Sequence, residues 1–446
     1  MNASAPFFSW TCLFPDDAAY QCTALGPWAE EYCDPSGDAG GDRPRVLVTA
    51  DPCASQLPDL APYAGLVALN CRGVSDGRLR VAGFSYVRRF AVLPDASRSR
   101  WFIPLDGPAL SAGAFCICAP FKTAAQLRHR GGRAAARLGL PLWYRDELCI
   151  AQRQTPPIEQ AIQSLFPARP VRLALSSGTP PPAINRKISL AVLGPRGQAL
   201  AFAKLPGPCP VSAHNVRHEA EVLSHLAQQR ATRAPRLLLA GNVGTRYLAV
   251  FTPLQGRPTQ PELTNAHRRF LAGLRSGDAR PAGDTAFVRS LTERSRLLDR
   301  RPDLLAILRE LLPRLRALRL PATTIHGDFV PWNLREYAGA IGAFDWEYAQ
   351  TDGVPLIDET HHLLAVGYLL RKWTPEHAYR RLLDVTSVAP FAEFSPATVR
   401  ALQMAYLLDY VLRLFGEGHG DNYPRVAWCR RILSYLAPAV QKGAAA

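Results

Sequence analysis

The stretch Thr323–Glu347 reads TTIHGDFVPWNLREYAGAIGAFDWE, and it decides how the chain is understood. His326, Asp328, Asn333 and Asp345 stand there among Ile325, Phe329, Val330 and Trp332. A packed core has no use for two carboxylates and an amide so placed, because a buried polar group costs free energy unless it is paired. A site that holds a metal ion and a reacting hydroxyl does have that use. Asn333 follows Asp328 by five residues, so one tight loop can carry both. A hydroxyl can then be received by the carboxylate while the amide oxygen ligates a metal beside it. Magnesium takes hard oxygen ligands and keeps several waters, so one amide and one carboxylate are enough protein ligands. The second carboxylate is Asp345, seventeen residues after Asp328. That spacing suits a β-hairpin from Asn333 and Leu334, through a turn at Glu336–Gly339, back along a strand at 340–344.

The pattern HGDxxxxN followed by FDWE resembles the aminoglycoside phosphotransferase and choline kinase superfamily, which has a protein-kinase-like fold. The resemblance spans roughly residues 160–440. It implies that Asp328 is the catalytic base, that Asn333 and Asp345 bind Mg²⁺, and that ATP is the phosphoryl donor. By the same resemblance His326 braces the loop by hydrogen bonding, and Asp358 sits at the head of the next helix. Trp346 reads as core and Glu347 as a loop-ordering residue. The pair His361-His362 lacks correctly spaced partners for a metal and reads as structural.

Upstream, VRLALSSG (171–178), KISLAVLG (187–194) and ALAFAKLPG (199–207) read as three strands. A helix follows at 212–229, with Val216, Ala220, Leu223 and Ala227 at helical spacing, and then strands at 236–241 and 247–254. Beyond Gly256 the chain turns helical, at 262–275, 286–319, 357–371, 375–384 and 397–437. This order is that of a kinase fold, a small sheet lobe over the nucleotide followed by a helical lobe. Lys204 lies mid-strand among apolar residues, where a lone ammonium is expensive unless paired. Paired with Glu219, it matches the lysine–glutamate pair that faces the α- and β-phosphates in kinases. Glu221 competes, and the E-x-x-x-L register favours Glu219. Adenine is expected against Phe251–Leu254, including Pro253.

The phosphate loop departs from the protein-kinase pattern. LSSGTPPPAINRKISL has one glycine, Gly178, and three prolines, Pro180–Pro182, that lack an N–H. Ser176, Ser177 and Thr179 are the donors it offers, with Lys187 at its far side.

Residues 1–155 read as a separate mixed α/β domain. Its strands are expected at 45–51, 65–70, 80–93, 100–105 and 147–152, with one or two helices at 121–140 divided at Gly131-Gly132. It has neither GxGxxG nor a Walker loop, and no function is assigned to it. The whole is therefore α+β: that domain, a small lobe at 160–255, and a helical lobe at 256–446 with the catalytic loop.

Ten cysteines without a CxxC pair read as reduced thiols. Cys116 and Cys118 fall in AFCICAP, which looks like a strand. No run approaches the ~18 apolar residues of a membrane span, and the N-terminus is a poor signal peptide, so the expected location is the cytoplasm. The net charge is +15. Residues 1–150 hold 15 Lys+Arg against 14 Asp+Glu, and the remaining 296 hold 37 against 23. With five lysines beside 47 arginines, GC-biased coding is the alternative to an anionic partner as the source of that excess. No nucleic-acid-reading motif accompanies it. A cationic aminoglycoside would want an acidic pocket, so an anionic hydroxyl acceptor, such as a phosphorylated sugar or a glycan precursor, fits the charge better. The rival reading is a nucleotide-binding pseudokinase or scaffold without turnover.

Overall fold

The structure is a computed structural model that describes residues 9–15, 17–22, 43–50, 57–71, 73–118, 120, 123–178, 184–228 and 233–437. The chain divides into two compact units, residues 1–217 with 237–253 and residues 218–236 with 254–446.

One eleven-stranded sheet organises the first unit. Its strands are β1 (Ala19–Cys22), β2 (Arg45–Ala50), β3 (Gly65–Leu69), β4 (Tyr86–Leu93), β5 (Trp101–Pro104) and β6 (Asp146–Gln152). They continue with β7 (Arg172–Ser176), β8 (Lys187–Leu193), β9 (Ala199–Pro206), β10 (Leu237–Val243) and β11 (Arg246–Phe251). The spatial order is β1-β2-β3-β6-β4-β5-β7-β8-β9-β11-β10, parallel from β1 to β3 and antiparallel elsewhere. Successive side chains on a strand point to opposite faces. Val46, Val48, Phe90, Leu148 and Ile150 pack into one cluster, and Leu47, Leu66, Val87, Cys149 and Ala151 into another. β3, GLVAL, is buried at every position, as expected where both faces are covered.

The boundary drawn at 155–160 does not interrupt this sheet. β5 pairs with β7 through Trp101↔Ser176 and Phe102↔Leu175, and the helix Pro157–Ser164 sends Ile158 and Ile162 into the same core as Val46 and Phe90. The N-terminal strands and those of the expected small lobe form one sheet, with β7 covered on the side where it would otherwise be an open edge.

Other expectations shift locally. The segment 80–93 begins as a helix, Asp76–Val81, capped by the Ser75 hydroxyl, and turns to strand at Tyr86. AFCICAP is not a strand: Phe115–Ile117 continues the helix Pro108–Ala114 as a 3₁₀ turn, leaving Cys116 exposed and Cys118 buried. The helix Thr123–Arg137 runs through Gly131-Gly132 unbroken. Seven of the cysteines are free thiols; Cys33 and Cys53 lie outside the described residues, as does the side chain of Cys22.

The second unit is mainly helical. In the helix Pro302–Ala317, Leu304, Leu308, Leu311 and Leu315 make one apolar stripe. That stripe joins residues of Ala286–Glu293, Ile357–Leu369, Pro375–Asp384, Pro396–Gly416 and Pro424–Leu436 in one core. The expected helix at 262–275 is shorter, Asn265–Ala272, and gives way to a strand, β13 (Arg275–Pro281). β13 pairs with β14 (Arg319–Ile325), so that the helix expected to reach 319 stops at Ala317. The span 397–437 breaks after Gly416: Gly418 adopts φ +82°, and Pro424 restarts a helix at its first turn. Among the described residues, no helix is long and apolar enough to cross a membrane.

Candidate active site

His326, Gly327 and Asp328 follow directly on β14. Gly327 turns the chain at φ +80°, and a Cβ there would lie 2.3 Å from the Tyr348 carbonyl oxygen, so no other residue fits. The turn leaves backbone N–H groups in need of acceptors. Asp358, in the first turn of Ile357–Leu369, supplies them: its Oδ2 accepts from the His326 N–H at 2.7 Å and its Oδ1 from the Gly327 N–H at 2.9 Å. Burial pushes the Asp358 carboxyl up to about 7, against the pull of these two bonds.

His326 is fully buried and uses both ring nitrogens internally. Nε2–H donates to the Phe344 carbonyl at 3.1 Å, and Nδ1 accepts from the Asp328 N–H at 3.2 Å. Burial lowers its pKa to about 4, so the ring is neutral. It ties the loop to the end of the hairpin, and both ring nitrogens are engaged inside the protein.

Asp328 is held on both carboxylate oxygens. Oδ1 meets His361 Nε2 at 3.0 Å, and Oδ2 accepts from Asn333 Nδ2 at 2.8 Å. Burial alone would raise its pKa; the His361 bond and the nearby Arg413 guanidinium outweigh it and keep the group ionised. Arg413 donates to the Gly327 carbonyl at 2.8 Å and lies over the rings of Tyr348 and Tyr410, at 4.3 and 4.7 Å. Asp328 nonetheless keeps about a third of its side-chain surface open, 31%.

Asn333 ends a short 3₁₀ turn, Pro331–Asn333, and its Nδ2 also donates to the Asp328 carbonyl at 3.1 Å. The hairpin that follows has two strands, β15 (Leu334–Tyr337) and β16 (Ala340–Ala343). Ala338 at φ 51° and Gly339 at φ 72° form its two-residue turn, the primed geometry that matches strand twist. It joins β12 (Arg257–Pro258) in one three-stranded sheet; β17 (Gln350–Gly353) completes the other with β13 and β14. The Phe344 N–H donates to the Asn333 carbonyl at 3.0 Å, closing the hairpin directly before Asp345. Asp345 adopts φ 70°, a left-handed conformation unfavourable for most side chains and tolerated best by Asp and Asn. Its charge acts on both His326 and Asp328.

These donors suit a magnesium ion. The amide nitrogen of Asn333 is committed to Asp328, so the oxygen is the atom left for a cation, and Asp345 adds a hard carboxylate. Among the described residues no group of three His, Cys, Asp or Glu side chains could hold a metal, Cys116 and Cys118 included.

Trp346 is buried core, donating its ring N–H to the Ala343 carbonyl at 2.8 Å and packing 4.5 Å from the His326 ring. Glu347 is largely buried. His362 donates to the Pro261 carbonyl at 2.8 Å and packs against His267 and Phe329, a structural role. His361, read from the sequence as structural too, touches Asp328 instead. The signal was its position one helical turn after Asp358, on the face that already grips the loop.

Each nucleotide-binding candidate has a defined place within its own unit. In the first, Lys204 lies mid-strand on β9 between Ser189 and Ala249, with Nζ 5.8 Å from the Phe251 ring. Phe251 is buried and Pro253 half-buried. In the second, Glu219 is buried and its Oε1 accepts from the Trp346 N–H at 3.2 Å, whereas Glu221 is exposed. Ser177 is buried: its N–H donates to the Arg100 carbonyl at 2.9 Å, and its hydroxyl sits 3.3 to 3.4 Å from the carbonyls of Arg100 and Ser99. Gly178 turns at φ +70°, its N–H on the Ser176 hydroxyl. These groups extend the β5–β7 ladder. Thr179 and Pro180–Pro182 lie outside the described residues.

The family comparison agrees with the geometry. Residues 202–385, which include Lys204 and every residue of the loop and hairpin, match the model of the phosphotransferase enzyme family. Solved structures similar to the chain include an aminoglycoside phosphotransferase APH(4)-Ia, a thermostable mutant in its apo form. It is 17% identical and covers 65% of this chain and 100% of its own, with a TM-score of 0.43. A putative fructosamine-3-kinase from Haemophilus somnus 129PT gives 13% identity, 63% and 96% coverage and 0.39. Choline kinase LicA from Streptococcus pneumoniae gives 15%, 62% and 98%, and 0.39. No curated protein matches the sequence significantly. Asp328, Asn333 and Asp345 are carried by one loop and one hairpin inside the matched residues, and the groups that lock the loop come from the helix Ile357–Leu369 and, beyond the matched residues, from Pro396–Gly416.

Proposed function

We propose that the chain is an ATP-dependent phosphotransferase acting on a hydroxyl group of a small molecule or glycan precursor. The observation that carries this reading is Asp328. It is ionised, partly open, and held on both oxygens by His361 and Asn333. Phosphoryl transfer asks for positioning and charge neutralisation rather than covalent chemistry from the protein. Asp328 receives the acceptor's hydroxyl proton and aligns its oxygen for attack. Asn333 Oδ1 and the Asp345 carboxylate are the groups that would hold magnesium, which neutralises charge on the bound ATP phosphates. Lys204 is assigned to the α- and β-phosphates, and Phe251 and Pro253 to the adenine. Glu219 fastens its own helix to the backbone next to Asp345 through the Trp346 N–H.

The test is phosphate transfer from γ-labelled ATP with Mg²⁺ to a library of sugars, sugar phosphates, amino alcohols and aminoglycosides. Wild type is expected to label one class, and Asp328→Asn to lose about 10²- to 10⁴-fold in kcat while still binding MgATP. Tight MgATP binding without transfer to any member would favour the pseudokinase reading. Absence of ATP binding would overturn both.

A further inference from the structure

The helix Ile357–Leu369 holds the catalytic loop at two points one turn apart. Asp358 takes the backbone N–H groups of His326 and Gly327, and His361 takes the side chain of Asp328. His361 is 2% exposed, and its second nitrogen, Nδ1, lies 3.0 Å from the hydroxyl of Tyr406, on the helix Pro396–Gly416. We propose that His361 is a positioning residue for the base, held in one tautomer by Asp328 and seated at its far nitrogen by Tyr406, so that Tyr406, His361 and Asp328 form a single directed chain. The proposal rests on the reading of Asp328 as the base.

The direction of the chain follows from the groups at its ends. An ionised carboxylate only accepts hydrogen bonds, so His361 Nε2 carries the proton it shares with Asp328. Burial keeps the imidazole neutral by lowering its pKa, so Nδ1 is an acceptor and the Tyr406 hydroxyl donates to it. Asp328 thus fixes the tautomer, and the Tyr406 hydroxyl turns to meet the nitrogen left as acceptor. A carboxylate torsion is broad and roughly two-fold when nothing holds it. Asn333 pins Oδ2 and His361 pins Oδ1, which fixes that torsion while about a third of the side-chain surface, 31%, stays open. Neither His361 nor Tyr406 needs to touch the acceptor for this to govern its orientation.

Two measurements on the full-length chain test the idea. Nitrogen-15 NMR with labelled histidine should show His361 as the neutral Nε2–H tautomer, and Tyr406→Phe should leave that tautomer in place because Asp328 still accepts from it. MgATP turnover with water as the acceptor gives the second readout. His361→Leu is expected to lower kcat about 10- to 100-fold with KM for MgATP unchanged. His361→Gln, whose amide N–H reaches the place of Nε2, should recover most of that loss. An Nδ1–H tautomer, or equal kcat losses in the Leu and Gln variants, would overturn the positioning role while wild-type turnover left the kinase reading intact. A wild type that turns over no MgATP would instead overturn the kinase reading, and the role assigned to His361 with it.

Discussion

Two glycine turns, one in each unit, look alike in the sequence and behave differently in the structure. His326-Gly327-Asp328 and Ser176-Ser177-Gly178 both follow an apolar strand, and both bend at a left-handed glycine. In the first, outside groups satisfy the backbone: Asp358 takes two N–H groups, and Arg413 donates to the Gly327 carbonyl. The Asp328 carboxylate is therefore free to be aimed. In the second, the polar groups of Ser176 and Ser177 themselves complete the turn and the β5–β7 ladder. A polar side chain is available for chemistry only where something else meets the needs of the backbone around it.

The sharpest way to break this contrast is to remove a group that the first turn presents. Asp345→Ala should weaken Mg²⁺ binding by more than about 100-fold, since loss of an outer partner alone costs 10- to 100-fold. Titration of MgATP binding against Mg²⁺ at fixed ATP would show it. Unchanged Mg²⁺ dependence would remove Asp345 from the metal site.

Much of that site is legible before folding. The five- and seventeen-residue spacings and the hairpin follow from local sequence, whereas the bracing by His326 and the place of Asp358 at the head of the next helix come from the family resemblance. What is not legible is tertiary. His361 reaches Asp328 and Arg413 reaches the Gly327 carbonyl across 33 and 86 residues; the place of His361 one turn after Asp358 hints at the first contact, and nothing in LLDYVLRL announces the second. The fold divides the same way. The strands β7, β8, β9, β10 and β11 and the helix Pro210–Gln228 announce themselves by period. The pairing of β5 with β7 depends on residues 73 and 75 positions apart, and β13 is too polar to read as a strand, with Gly277 and Asp278 falling in a break of its register against β14.

A subtler test loosens the outside support rather than the site. Asp358→Asn keeps the shape but offers one acceptor oxygen to two N–H groups, and kcat should fall about 10- to 100-fold. Stability should respond to pH as well. The folded chain holds the Asp358 proton more tightly than the unfolded chain does. That contribution is complete below about pH 4 and disappears as the pH rises through about 7. The asparagine variant cannot ionise, so the part of its melting-temperature profile owed to this group should be flat between pH 5 and 8. Parallel profiles for the two proteins would remove Asp358 as the titrating group.

The smallest effects belong to the second turn. Ser177→Ala should cost about 1 kcal/mol of stability or less and change the KM for ATP by less than about twofold. Gly178→Ala must place a Cβ 2.5 Å from the Lys187 carbonyl oxygen at φ +70°, and should cost about 1–2 kcal/mol or more. A tenfold rise in KM from Ser177→Ala would mean that this turn does serve the nucleotide and would erase the contrast.

The seam between β5 and β7 has a practical side. The stretch Thr155-Pro156-Pro157 looks like a linker at which to trim the chain to its phosphotransferase half. Cutting there would strip Leu175 and Ser176 of their ladder partners and remove the core neighbours of Ile158 and Ile162. The fragment would present an apolar strand, RLALS, to any other chain it met. In this protein the phosphotransferase segment is not a cassette to be moved without the strands that precede it; they are the selvedge that keeps its sheet from fraying into aggregates.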